Sequence, residues 1–452
     1  MAMIMQRSFD DCCLLSRYRQ HLPALHHQTS KQRMPDPAAL PDSHSWKWQL
    51  MEQRLQDSEA FPRDQQPTLA RARTDGLTSS ARHSRRTSTM PAQFTTGDNI
   101  GADLILERAF GSWQFDACAL AKATANRPLS VLGMYFFNRL GFVQEFGLSR
   151  DRLSSFLLEI ERGYDDSNPY HNRAHAASVL HAMHALLEHG GLMKAAAPLL
   201  DDEQTSGSSC NRQTRGARLH RMACLLAAAV HDYEHKGLSN DFLVKTGHTR
   251  ATLYNNEHVN EHHHVAAAFD VLLRPENNFL EHLPDQELCM LRSLVTDLVL
   301  STDMAQHGKI MQSARQVLGA SSRASTADAV RAAFEPASRG EAVVLLQLAV
   351  KCSDLGHMAL DWELHLQWVQ RLEEEFFLQG DREKEGGLPV SFLMDRCQPG
   401  PSGSQVGFFD AVVLPLFELL LHAAPQAEIV LKSVRENYQR WRDLEGLLSL
   451  EP

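Results

Sequence analysis

An all-α fold is predicted for this chain by three observations. Beyond residue 100 the apolar residues recur at helical spacing, alternating β-branched runs are nearly absent, and the periodic segments are joined by stretches carrying Gly, Pro, Ser or Asn. The 452 residues, 43% hydrophobic and 22% charged, have globular composition, with length for up to about three domains and at least one large core. A collagen, a coiled coil and a wholly disordered chain are excluded. The expectation is a compact multi-helix domain preceded by a disordered tail.

Taken in chain order, residues 29–98 are rich in Gln, Arg, Ser, Thr, Pro and His and show no sustained period. Residues 1–95 therefore read as a mostly disordered regulatory or linker tail, and 96–452 as the all-helical domain. Within the tail, Arg85-Arg86-Thr87-Ser88 would let a basophilic kinase phosphorylate Ser88, although an Arg/Ser-rich tail also produces such a match by chance. The first helical groups are Leu129, Val131, Leu132, Met134, Tyr135, Phe136 and Phe137, then Leu153, Phe156, Leu157, Leu158 and Ile160. Further helices are predicted over 176–189, 218–231, 259–273, 285–306, 341–355, 362–379, 408–421 and 428–447, with 201–216 as a polar surface loop. The longest apolar runs, such as 223–230 and 411–414, fall short of the ~20 residues of a membrane span, and the second meets Pro415, so no transmembrane helix is expected. The eight cysteines form no CxxC pair and the N-terminus has no signal-peptide core, which together predict reduced thiols and a cytoplasmic protein.

The formal net charge is −10, so no global basic field exists to hold nucleic acid. Residues 1–95 carry 13 Lys and Arg against 9 Asp and Glu, and the remainder 32 against 46. So acidic a body repels an anionic substrate unless bound cations reverse the local field.

Of 23 histidines, 13 lie between 171 and 264. His171 and His175 are four residues apart, on one face if that segment is helical. At 227–232 an apolar run ends in His231-Asp232, and Val350-Lys351-Cys352-Ser353-Asp354 repeats the pattern with a lone Asp. Buried imidazoles and carboxylates need a partner, and a divalent metal satisfies both. His175, His231, Asp232 and Asp354 make an N₂O₂ set suited to zinc, and Asp232 could bridge to a harder ion such as magnesium or manganese. Two metals about 3.5–4 Å apart generate a hydroxide and clamp an in-line displacement at phosphorus, and His171 is placed to protonate the leaving oxygen.

Tyr170-His171-Asn172-x-x-His175-Ala176, His231-Asp232-x-x-His235-x-Gly237-x-Ser239-Asn240, Thr302-Asp303-Met304, Asp354, Glu374-Glu375-Phe376-Phe377-x-Gln379-Gly380-Asp381 and Ser404-Gln405-Val406-Gly407-Phe408 occur in that order. Together they resemble the class I cyclic-nucleotide phosphodiesterases over roughly residues 113–441. The resemblance implies hydrolysis of 3′,5′-cyclic AMP or GMP to the 5′-monophosphate. His171 is then the proton donor and Glu261 the carboxylate that orients it. His175, His231, Asp232 and Asp354 are the metal ligands, and His235, Asn240 and Asp303 hold waters and phosphate. Gln405 reads the purine edge, Phe408 and Leu372 sandwich the base, and Tyr170 and Met304 belong to the same pocket. By their own context Gln405 reads as a turn residue and Phe408 and Leu372 as core. Ser178 and Glu234-His235-Lys236 depart from the usual family pattern, while His357 resembles the dual-specificity, calmodulin-stimulated branch. Rival readings are an HD-type hydrolase of another nucleotide phosphate and a catalytically inactive cyclic-nucleotide sensor. A tail kinase and a homodimer are the protein partners entertained.

Overall fold

A computed structural model describes residues 100–193, 196, 215–321 and 338–448. Asp98–Glu445 falls in one compact unit; a second grouping, Tyr18–Gly97 with Gly446–Pro452, lies almost wholly outside the described residues. The expected tail and Ser88 also lie outside them, as does most of the expected 201–216 loop. Among the described residues there are helices and no strands. The chain runs through α1 (Ile100–Gly111), α2 (Ala117–Ala123), α3 (Pro128–Arg139), α4 (Phe142–Glu145), α5 (Arg150–Gly163), α6 (Arg173–Glu188) and α7 (Arg215–Val230). It continues through α8 (Asn240–Lys245), α9 (Thr249–Leu253), α10 (Val259–Leu273), α11 (Asp285–Thr302), α12 (His307–Ser321), α13 (Arg339–Asp354), α14 (Trp362–Glu385), the stretch α15 (Pro401–Ala423) and α16 (Glu428–Leu448).

The all-α expectation holds, and the differences in bounds have local causes. α6 starts three residues earlier than its apolar pattern, because Asn172 accepts from the amides of Ala174 and His175 and caps it. The segment expected over 285–306 breaks at Asp303, where a 3₁₀ turn, Met304–Gln306, takes over. α1, α2, α4, α8, α9 and α12 lie outside the predicted segments; the short ones bury few side chains and leave little period to read. The loop expectation for 201–216 is corrected at its end, since Arg215 and Gly216 open α7.

The interior is built from helices apolar around most of their circumference, the signature of buried rather than surface helices. α6 packs on α3, α7 and α13, and α11 closes on α7 and α13. Most of α7 is buried, from Leu219 through Val230. The catalytic-type motifs therefore stand at helix ends projecting from a rigid, densely packed centre.

α15 corrects the expectation about membrane-length segments. Pro401–Ala423 is a continuous helical stretch, and with mean hydropathy 1.7 it is long and apolar enough to cross a membrane by length and composition. Pro415, expected to end the run, is absorbed by a π turn at Phe409–Val413 that accommodates its missing N–H. Here the stretch packs against α13, with Phe408, Phe409, Leu416 and Phe417 buried.

Candidate active site

Two helix ends and one helix start bring four donor side chains together. His175 sits in the first turn of α6, His231 and Asp232 follow the end of α7, and Asp354 ends α13. Nε2 of His231 lies 3.2 Å from Nε2 of His175 and 3.1 Å from Oδ2 of Asp232. Asp354 Oδ1 is 3.2 Å from His175 Nε2 and 3.4 Å from His231 Nε2, and His175 Nε2 is 3.4 Å from Asp232 Oδ2. Donor atoms about 2.0–2.1 Å from a tetrahedral centre are themselves about 3.3–3.4 Å apart, so the spacing fits a bound divalent ion. The Ala228 carbonyl, 2.9 Å from His231 Nδ1, can only accept, so Nδ1 carries a proton and the neutral ring that binds a metal would offer its lone pair from Nε2. Burial alone would lower His231 and raise both carboxylates, yet mutual attraction holds His231 well above its ordinary range and Asp232 and Asp354 well below theirs. His264, which the sequence left aside, belongs here too: Nδ1 bonds the Tyr233 carbonyl at 2.6 Å, and Nε2 is buried without a hydrogen-bond partner, 3.8 Å from Asp232 Oδ1.

His171 does not share a helix with His175, contrary to the spacing argument; it precedes the Asn172 cap and α6 begins at Arg173. What holds it is α14. Glu375 Oε2 accepts from the backbone amides of Tyr170 and His171, both at 2.9 Å, and Oε1 meets Nδ1 of the His171 ring. The expectation that Glu261 orients His171 is therefore corrected. Glu261, in the first turn of α10, accepts from Asn240 Nδ2 at 2.9 Å, and burial together with Asp303 pushes its carboxyl up to about 8. Glu375 lies among apolar residues of a helix face, where an acid needs a partner, and that was the signal available for it. Burial works against a charged His171, but Glu375 and Asp232 outweigh it and raise the ring to about 9, while His171 holds Glu375 down at about 2. His235 stacks on His171, ring centroids 4.1 Å apart, and stays neutral, lowered to about 4 by burial and by His171.

These groups open onto a cavity of about 660 Å³. Tyr170, His171, Asp232, His235, Asn240, Glu261, Asp303, Met304, Asp354 and Leu372 line it. Asn240 is engaged with α10, its Oδ1 accepting from the Asn260 amide at 2.8 Å. Asp303 binds His258 Nδ1 at 2.6 Å and the Ala305 amide at 2.8 Å. Gln405 and Phe408 are buried and do not line the cavity, which corrects their expected place in its wall. Gln405 Nε2 donates to the Pro401 carbonyl at 3.0 Å, along its own helix, and its Oε1 is buried with no partner. Seven carboxylate residues line the cavity and, among the described residues, no Lys or Arg does. An anion enters such a space only with cations present.

Residues 170–434 match the family model of the 3'5'-cyclic nucleotide phosphodiesterases. The chain belongs to this family. Among curated relatives of this phosphodiesterase, the dual specificity calcium/calmodulin-dependent 3',5'-cyclic nucleotide phosphodiesterase 1 of Drosophila melanogaster is 38% identical over 304 residues, 67% of this chain and 32% of the relative. The dual specificity calcium/calmodulin-dependent phosphodiesterase 1B of Mus musculus is 32% identical over 316 residues, 70% of this chain and 52% of the relative. The chain thus spans about a third to a half of the length of these two relatives. The crystal structure of the phosphodiesterase domain of Salpingoeca rosetta rhodopsin phosphodiesterase covers 77% of this chain and 95% of its own, with a TM-score of 0.62 and 24% identity, a likeness of fold.

Proposed function

We propose that this phosphodiesterase hydrolyses 3′,5′-cyclic nucleotides to 5′-monophosphates with two divalent cations, zinc at the His175, His231, Asp232 and Asp354 set and magnesium or manganese beside Asp232. The carrying observation is the convergence of those four donor atoms at tetrahedral spacing beside a histidine held in its charged form, inside an acidic cavity of nucleotide size. Bound there, the cations would acidify water to supply the nucleophile and neutralise the phosphate. His171 donates its proton to the departing O3′, and Glu375 fixes the ring and sustains its charge. Bound cations would cancel the share of that charge owed to Asp232, leaving Glu375 as the group that keeps His171 protonated. Leu372 and Met304 offer the base an apolar wall. Turnover of both cAMP and cGMP is part of this reading, supported by His357 on the cavity wall and by the dual specificity named for the relatives. A cytoplasmic setting accords with the free thiols of Cys224 and Cys352.

The test is release of 5′-nucleotide from cAMP and cGMP with Mg²⁺, repeated after chelation. Product that disappears on chelation and returns with metal is expected. No product from either substrate, with zinc bound, would instead point to a sensor, and product only from other nucleotide phosphates to a different hydrolase.

Glu375→Gln supplies a second expectation. Removing the carboxylate lowers the pKa of His171, so the alkaline limb of the rate profile moves to lower pH and turnover at pH 8 falls more than turnover at pH 6.5. An unshifted limb would deny Glu375 this role.

A further inference from the structure

Lys351 is among the largest fully buried side chains, 2% exposed, and it lies three residues before Asp354 on α13. Burying an ammonium is costly and is normally offset by a carboxylate. Here no carboxylate among the described residues pairs with it. Nζ donates instead to the carbonyls of Ser301 at 3.1 Å and Thr302 at 3.4 Å, and lies 3.8 Å from Met304 Sδ. Those carbonyls belong to the last turn of α11, an 18-residue helix whose C-terminal carbonyls lack partners within the helix and carry its negative end. The Ser301 and Thr302 hydroxyls donate back to the carbonyls of Leu298 at 2.6 Å and Val299 at 2.8 Å, so the carbonyls of Ser301 and Thr302 themselves are the ones left for Lys351. The chain then leaves the helix at Asp303. Thr302, Asp303 and Met304 form one wall of the cavity, and Asp354 stands on the helix that carries Lys351.

We propose that Lys351 is a positioning residue whose buried ammonium ties the Thr302-Asp303-Met304 wall to the helix end bearing Asp354. A neutral side chain of similar length would fill the volume but leave two carbonyls unbonded and the wall free to shift. The ammonium also places a positive charge behind a cavity whose lining includes no Lys or Arg among the described residues. The link to substrate rests on the proposed phosphodiesterase activity; the link to the wall does not.

The experiment compares the wild-type chain with Lys351→Met by steady-state kinetics on cyclic nucleotide and by amide hydrogen exchange. Lys351→Met should raise KM roughly 10–100-fold, the range typical of groups that orient a site from behind, with kcat changed far less. Exchange should quicken at residues 301–306 and stay unchanged at 339–350. An unchanged KM in an active enzyme, or unchanged exchange at 301–306, would overturn the inference. Should Lys351→Met fail to fold, Lys351→Gln keeps one donor: a partial KM rise with local exchange supports positioning, and wild-type values for both refute it. If the wild-type chain hydrolyses no cyclic nucleotide, the functional reading fails and the exchange arm alone decides the role of Lys351.

Discussion

His171→Asn should lower turnover by about 10²–10⁴-fold while the protein keeps its metal and its fold, the loss expected when a general acid is removed. The expectation rests on where the ring sits. Its Nδ1 is engaged by Glu375, its face is covered by His235, and it opens onto the cavity beside Asp232. None of the close contacts that assemble His175, His231, Asp232 and Asp354 runs through His171, so deleting its ring leaves the ligand set intact. Metal content by atomic absorption and kcat on the same preparation separate the possibilities. A parallel loss of zinc would make His171 part of the metal centre, and an unchanged kcat would remove it from the reaction.

The second large expectation is steep acid instability. His181, His184 and His365 are each lowered to about 3, first of all by burial. His181 and His184 donate from Nε2 to the carbonyls of Ala109 at 3.0 Å and Phe110 at 3.2 Å, anchoring the end of α1 on α6. His365 accepts from Trp441 Nε1 at 2.8 Å, tying α14 to α16. Their folded pKa values lie below the unfolded one, so below about 6.5 the unfolded chain binds more protons. Stability is complete above that pH and declines as pH falls toward 3, by about 1.4 kcal/mol per pH unit for each group. Three such groups give about 4 kcal/mol per unit, comparable within two units to the whole stability of an ordinary domain. His171 and His231 act in the opposite sense, since a raised pKa adds stability that is complete below 6.5 and is lost only as pH climbs, through about 9 for His171, so neither changes the acid-side slope. Melting temperature should therefore fall sharply from pH 6.5 to 5. His365→Gln should be the less stable protein at pH 7.5, with the gap to wild type narrowing at pH 5. A gap independent of pH would show that His365 does not resist protonation.

Three of the four metal-type residues were legible because they punctuate apolar runs. His231-Asp232 and Asp354 follow stretches that have no reason to end in polar groups unless those groups meet a partner, and the folded chain brings both ends to His175. The dyad was not legible in the same way. Glu261 and Glu375 are both acids on helices, and choosing between them depends on a contact spanning 204 residues. No local period encodes that. Lys351 is likewise ordinary in sequence, one lysine near a helix end, until its burial against α11 is seen.

Composition and periodicity by themselves determined that the chain is all-α, the ordered motifs carried its resemblance to the cyclic-nucleotide phosphodiesterases, and the polar ends of apolar runs marked side chains that could hold metal. Those properties depend on residue type and near-neighbour spacing, which a linear chain records directly. Only the tertiary structure decided that Glu375 rather than Glu261 engages His171, that Gln405 and Phe408 sit buried off the cavity wall, and that Pro415 is absorbed within a continuous helix. Each of these turns on which helix faces which across the core, and packing of distant segments, not local propensity, sets that choice.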